Sequence, residues 1–127
     1  MDELIKFDQW IETLDFSLWS LDKQTHDFWI GLRNTFEFDA QWFPALDRVE
    51  AREKCNPPLE DETKEMNRIA HRAFCKAFDA TQNNDIADFV EDDFYLLARA
   101  TRLQFSDTLL DKLRLRYEAG RFPRGAL

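Results

Sequence analysis

Apolar positions recur every three or four residues along most of this chain, which is the period of one helix face. Leu4, Phe7, Ile11, Leu14 and Leu18 open the pattern and predict a first helix over roughly 2–16, with Trp10 widening the stripe. Asp2 and Glu3 fall in its first turn, where carboxylates complement the helix dipole. Residues 17–24 contain serines and an Asp, and predict a turn. A second helix is expected from Thr25, a suitable N-cap, with Phe28, Trp29, Leu32 and Phe36 on its apolar face. Gly31 inside it costs about 1 kcal/mol relative to Ala, and predicts close approach of a neighbouring element.

The stretch 36–43 is dense in aromatics, and Phe36, Phe38 and Ala40 alternate as in a short strand. No second strand candidate exists to pair with it, so a connector is predicted. Pro44 suits the first position of a third helix, where a missing N–H costs nothing. That helix runs to about Lys54 with Leu46 and Val49 inward. Asn56-Pro57-Pro58 is the clearest break in the chain. Beyond it, Met66, Ile69, Ala70, Ala73, Phe74, Ala77 and Phe78 predict a helix over 60–79. Ile86, Phe89, Val90, Phe94, Leu97, Ala98 and Thr101 predict another over 85–104. Ser106 is the expected N-cap of a last helix whose inner face is Leu109, Leu110, Leu113 and Tyr117. Gly120 is placed to end it, and Pro123 blocks continuation. The expectation is an all-α, single-domain bundle of five or six helices spanning 1–127.

Composition agrees. Three glycines and four prolines in 127 residues leave few turns, and 44% hydrophobic content argues against disorder. No apolar run approaches the 18 or so residues that span a bilayer. The N-terminal Met1-Asp2-Glu3 lacks the basic start of a signal peptide. With only Cys55 and Cys75, both expected as free thiols, the chain is expected to be cytoplasmic.

Charge changes the picture more. Residues 1–98 hold 22 acidic and 10 basic residues, whereas 99–127 hold 3 and 7. A surface so negative repels phosphate and disfavours nucleic acid as a partner. It favours a basic protein. Eighteen aromatics, four of them Trp, supply candidate anchors. Most belong to the predicted core, including Trp10, Trp29, Phe28, Phe74, Phe78, Phe89 and Phe94. Trp19, Phe38, Trp42 and Phe43 lie in or near predicted connectors and form a surplus. Trp42 and Phe43, ringed by Glu37, Asp39 and Asp47, resemble an interface hot spot with a charged rim.

Asp85, Asp88, Glu91, Asp92 and Asp93 form an acidic cluster on one predicted helix. It reads first as a solvated face and second as a partner-facing patch. Carboxylates at such spacing could also bind a divalent metal, with His71 as a further ligand. His71 and Cys75, four apart, could face one ion, but no second His/Cys pair completes a zinc site. Lys64, Arg68, Arg72 and Lys76 recur every four residues as a basic stripe, which Glu60 and Glu65 partly match. Whether Arg99, Arg102, Arg114, Arg116, Arg121 and Arg124 form one patch stays open. No Gly-rich phosphate loop, nucleophile elbow or zinc-protease helix occurs, and no cofactor is expected.

The stretch Ser106-Asp107-Thr108-Leu109-Leu110-Asp111-Lys112-Leu113, followed by Tyr117-Glu118-Ala119-Gly120-Arg121-Phe122-Pro123, resembles the C-terminal end of small helical bacterial immunity proteins. Arg124 stands where a small residue or Cys is expected. The resemblance implies a cytoplasmic inhibitor that binds a toxin domain tightly, and implies no catalytic residues. The first reading is therefore a non-enzymatic inhibitor of a basic toxin or effector domain. Its expected binding residues are Glu37, Asp39, Trp42, Phe43, Asp88, Glu91 and Asp92. A small carboxylate-metal enzyme using Asp85, Asp88, Asp92 and His71, or a DNA-mimicking or adaptor module, is the alternative.

Overall fold

The computed structural model describes residues 2–127. Among them are six α-helices and no strand: α1 (Asp2–Glu12), α2 (Lys23–Arg33), α3 (Phe36–Cys55), α4 (Glu60–Thr81), α5 (Asn84–Arg102) and α6 (Thr108–Glu118). A 3₁₀ turn, Ser17–Trp19, links α1 to α2.

The hairpin of α4 and α5 is the spine of the bundle, and α1, α2 and α3 all lean on α5. The sequence explains that position. Ile86, Ala87, Val90, Phe94, Leu97, Ala98 and Ala100 cover so wide an arc of α5 that one neighbour cannot bury it. On α4, Met66, Ile69, Ala73 and Ala77 make a narrower stripe facing α5. Small alanines there let two backbones approach closely. Glu62 accepts the Leu59 N–H at 2.9 Å and closes the start of α4. One hydrophobic cluster draws on all six helices and on Phe122 of the tail. Among the described residues no helix is long and apolar enough to cross a membrane.

Several boundaries differ from the sequence expectation. The first helix stops at Glu12 rather than 16, and Leu18 is 79% exposed in the turn that follows. Asp22, not Thr25, caps α2 by accepting the Thr25 N–H at 2.7 Å. Gly31 is not a close-packing site, since an added Cβ would meet nothing within 4 Å. Asp107, not Ser106, caps α6 by accepting the Leu110 N–H at 2.8 Å.

The largest correction is the predicted connector. Residues 36–43 are the first two turns of α3, capped by Thr35, and Pro44 lies inside the helix. An interior proline removes a backbone hydrogen bond and costs about 3 kcal/mol. Phe38, Trp42, Ala45 and Val49 run through it at spacings of four, three and four. Their joint burial holds the helix together across the break. Phe36 therefore starts α3 and is 84% exposed instead of packing on α2.

The aromatics redistribute with it. Trp19 and Phe38 are core residues, while Phe28, expected inside, is exposed. Trp19 stacks on Phe16 at 4.1 Å and meets Trp29 and Phe122 edge-on. His26 is buried beneath this nest, its Nε2 donating to the Trp19 carbonyl at 2.8 Å. A carbonyl only accepts, so Nε2 carries the proton.

Gly120 ends α6 as the sequence indicates. Its φ of +69° is left-handed, its N–H donates to the Tyr117 carbonyl and that of Arg121 to the Arg116 carbonyl. The chain then turns back across the bundle and buries Phe122.

Candidate functional site

The centre of the molecule holds a charge. Arg33 ends α2 and turns inward, 3% exposed, onto Asp93 of α5, which is fully buried. Asp93 Oδ2 accepts from Arg33 Nη1 at 2.9 Å and from the Tyr117 hydroxyl at 2.5 Å. Oδ1 accepts from Arg33 Nη2 and from Trp42 Nε1, the latter at 2.9 Å. Four donors fill the acceptor capacity of one carboxylate. The Arg33 guanidinium lies 4.0 Å from the Phe38 ring centre and 5.0 Å from that of Phe89. Burial opposes its charge, but the Asp93 carboxylate outweighs burial and holds the Arg33 pKa above its usual value. Burial, then the Asp93 charge, pushes the Tyr117 hydroxyl well above 10.0. It stays protonated, as a donor must.

The sequence groups Asp93 with the acids of one helix, and the structure buries it apart from them. Its spacing contained the signal: it falls three residues after Val90 and four before Leu97, on the buried face. The compensating cation lies 60 residues away, and no local pattern announces it.

The remaining candidates divide into two groups around this hub. On α3, Glu37, Asp39 and Phe43 are exposed, Phe43 at 52%. Phe36, Asp39, Phe43 and Asp47 follow at spacings of three, four and four, so they share one outward stripe. Phe36 is the binding candidate that sequence reasoning missed, because the helix start was misplaced. Trp42 is half-buried. It meets Phe43 edge-on at 5.3 Å between ring centres, while its N–H is committed to Asp93.

On α5, Asp88 and Asp92 are exposed and Glu91 is half-buried. Partial burial of its carboxyl, then the Asp93 charge, raises the Asp92 pKa, and Asp88 and Glu91 add to it against the pull of Arg33. The three acids therefore form one negative edge. Glu91 turns toward α4, where it meets His71 Nδ1 at 3.2 Å. The α3 stripe and the α5 edge are joined through the Trp42–Asp93 hydrogen bond.

The metal alternative needs Asp85, Asp88, Asp92 and His71 to converge. Among the described residues no group of three or more His, Cys, Asp or Glu side chains is arranged to hold an ion. His71 Nε2 lies 3.6 Å from Cys75 Sγ, and both residues are exposed. The basic stripe of α4 has a structural use. Arg68 and Arg72 clasp Asp8 of α1, Arg72 also takes Glu12, and Lys76 donates to the Ile11 carbonyl at 3.1 Å. The C-terminal arginines do not form one patch. Arg99 pairs with Glu53 and Arg102 with Glu62. Arg114 lies over Phe7 and Trp10 and donates to Thr101. Arg116, Arg121 and Arg124 gather separately around the tail.

The sequence model of one protein family, described as immunity protein PIM1, matches residues 1–124. No curated protein and no solved structure matches the chain.

Proposed function

The chain belongs to the immunity protein PIM1 family, and from that premise we propose that it neutralises a toxin by seating its acidic, aromatic face on a basic surface of the toxin domain. Immunity proteins are inhibitors with a protein toxin as partner, and the family match supports that role for this chain over nearly its whole length. The proposal concerns how it binds. Occlusion requires no chemistry from the inhibitor, only a rigid surface of the right shape and charge. The reading places it in the cytoplasm, where two exposed free cysteines, Cys55 and Cys75, keep as thiols.

The observation that carries the choice of face is the outward stripe of α3. Phe36 and Phe43 are 84% and 52% exposed, on a helix whose other side is fixed by buried Phe38, Ala45 and Val49. Large apolar side chains held rigidly in water are what a partner desolvates with most gain. Glu37, Asp39 and Asp47 around them, with Asp88, Glu91 and Asp92 on α5, would steer a basic cleft into register and speed encounter. Trp42 contributes its exposed edge.

The test begins with a tagged pull-down from the native cell and identification of a stoichiometric partner. Phe43→Ala is the clean probe of the anchor, because truncating Trp42 also disturbs the hub beneath it. Phe43→Ala is expected to weaken binding by about tenfold or more, the scale of a central aromatic anchor. Asp39→Lys with Asp92→Lys is expected to slow association strongly at low salt and less at high salt. Unchanged affinity in both folded variants would move the interface elsewhere on the molecule.

A further inference from the structure

We propose that Arg116, Arg121 and Arg124 form a binding site for an oxyanion, a phosphate or carboxylate group of a small ligand. The argument begins with charge pairing. The protein has a net charge of −8, and its other guanidinium groups are largely answered. Arg33 has Asp93, Arg48 has Asp107, Arg68 and Arg72 have Asp8, Arg99 has Glu53 and Arg102 has Glu62. Among the described residues no Asp or Glu side chain pairs with Arg116, Arg121 or Arg124. Arg116 donates to a main-chain oxygen of Leu127, the last residue of the sequence, at 3.2 Å, and Arg124 to the Phe122 carbonyl at 3.0 Å. Yet the three converge, with Leu32 and Phe122, on one cavity of about 290 Å³.

The convergence is built into the fold. After the left-handed Gly120, the Gly120 carbonyl accepts Trp19 Nε1 at 2.8 Å. Phe122 is 1% exposed and stacks on Trp29 at 5.6 Å. The Pro123 carbonyl accepts from Arg33 at 3.3 Å, and the Gly125 N–H donates to the Leu32 carbonyl at 3.1 Å. This segment is pinned at Gly120, Phe122, Pro123 and Gly125, and Arg121 and Arg124 flank its buried Phe122-Pro123 pair. The Arg124 guanidinium is further held 4.8 Å over the Trp29 ring. Burial, then the charges of Arg116 and Arg121, holds its pKa below the usual arginine value. Like charges fixed at close range repel. An oxyanion removes that cost and offers each guanidinium fork two acceptor oxygens. The cavity lies at the small end of ligand sites, which begin near roughly 300 Å³, so it admits one or two such groups. The net charge of −8 over the whole chain disfavours a polynucleotide.

The test is an NMR titration of the full chain at low salt, following the arginine Nε–H and backbone amide signals. Inorganic pyrophosphate is the phosphate probe and citrate the carboxylate probe. Saturable shifts are expected at Arg116, Arg121, Arg124 and the Gly125 amide, and the tighter probe identifies the class of ligand. Arg116→Gln with Arg121→Gln is expected to raise the midpoint by about tenfold or more, as charge-assisted contacts are lost. Arg52→Gln, which removes a carboxylate-free arginine outside the cavity, is expected to leave it unchanged. Arg121 is exposed, so Arg121→Gln alone carries the test if the double variant loses its fold. The proposal is overturned if neither probe gives saturable shifts, or if the shifts spread over all arginines and survive Arg121→Gln. The measurement uses no toxin, so its outcome is independent of the inhibitor reading.

Discussion

Asp92 and Asp93 are neighbours on α5 with opposite surroundings. Asp93 is dry, meets four donors from α2, α3 and α6, and ties those helices to the spine. Asp92 is one residue earlier on the helix, lies at the surface with its carboxyl partly buried, and has like charges on its flanks. One carboxylate is structural because its partners are complete. The other has its charged form disfavoured first by partial burial and then by the Asp93 charge, against the pull of Arg33. The Trp42–Asp93 hydrogen bond ties the buried hub to the exposed stripe of α3.

The largest expected effect breaks the hub. Asp93→Ala leaves the Arg33 charge buried and unpaired, and should cost about 3–5 kcal/mol in urea denaturation. Arg33→Met should cost a similar amount. The double variant should lose clearly less than the sum, because removing both charges leaves neither stranded. Additivity would show that the two charges do not depend on each other.

Trp42→Phe sharpens the comparison by removing one donor while keeping a ring. With Arg33 and Tyr117 still in place, a loss of about 1–2 kcal/mol is expected, again by urea denaturation. Toxin affinity should change less than in Phe43→Ala if the exposed ring matters and the N–H does not.

Arg72→Ala tests ion pairing on the outside of the bundle. Arg72 clasps Asp8 and Glu12 on a partly exposed seam between α1 and α4, so a loss of about 0.2–1 kcal/mol is expected. An effect as large as that of Asp93→Ala would erase the distinction between inner and outer pairs.

The smallest effect has the opposite sign. The folded-state pKa of Asp92 is raised, by partial burial and then by the Asp93 charge. The folded protein therefore holds its proton to higher pH than the unfolded chain does, and ionised Asp92 costs stability at neutral pH. Asp92→Asn should raise the melting temperature slightly at neutral pH. The gain should shrink as pH falls through the raised pKa and vanish below about pH 4, the ordinary aspartate value. Melting curves of both proteins across that range check it. Weaker toxin binding by the same variant would show the cost being kept for function.

The elements with uninterrupted patterns were legible in the sequence. The expected 60–79 and 85–104 became Glu60–Thr81 and Asn84–Arg102, and Gly120 ended α6 as anticipated. The start of α3 was not, because Pro44 looks like a beginning and the residues before it alternate. The Thr35 cap and the burial of Phe38 and Trp42 against other elements make that stretch helical. The displaced start of α3 put Phe36 on the apolar face of α2 and so hid it from the candidate face. Trp19 and Phe38 were counted as surplus because connectors are usually exposed. A 3₁₀ turn folded over the bundle end buries Trp19, and the corrected helix buries Phe38.

Periodicity, capping residues and composition act locally, and they determined by themselves the helical class, the two long helices after the Asn56-Pro57-Pro58 break and the acidic balance of this protein. The tertiary structure alone decided which acid is buried, which aromatics stay outside and which arginines meet. A helix period fixes the direction of a side chain relative to its own axis. Whether a charge at that position faces water or a guanidinium depends on a residue tens of positions away, and the two meet only when the whole bundle closes.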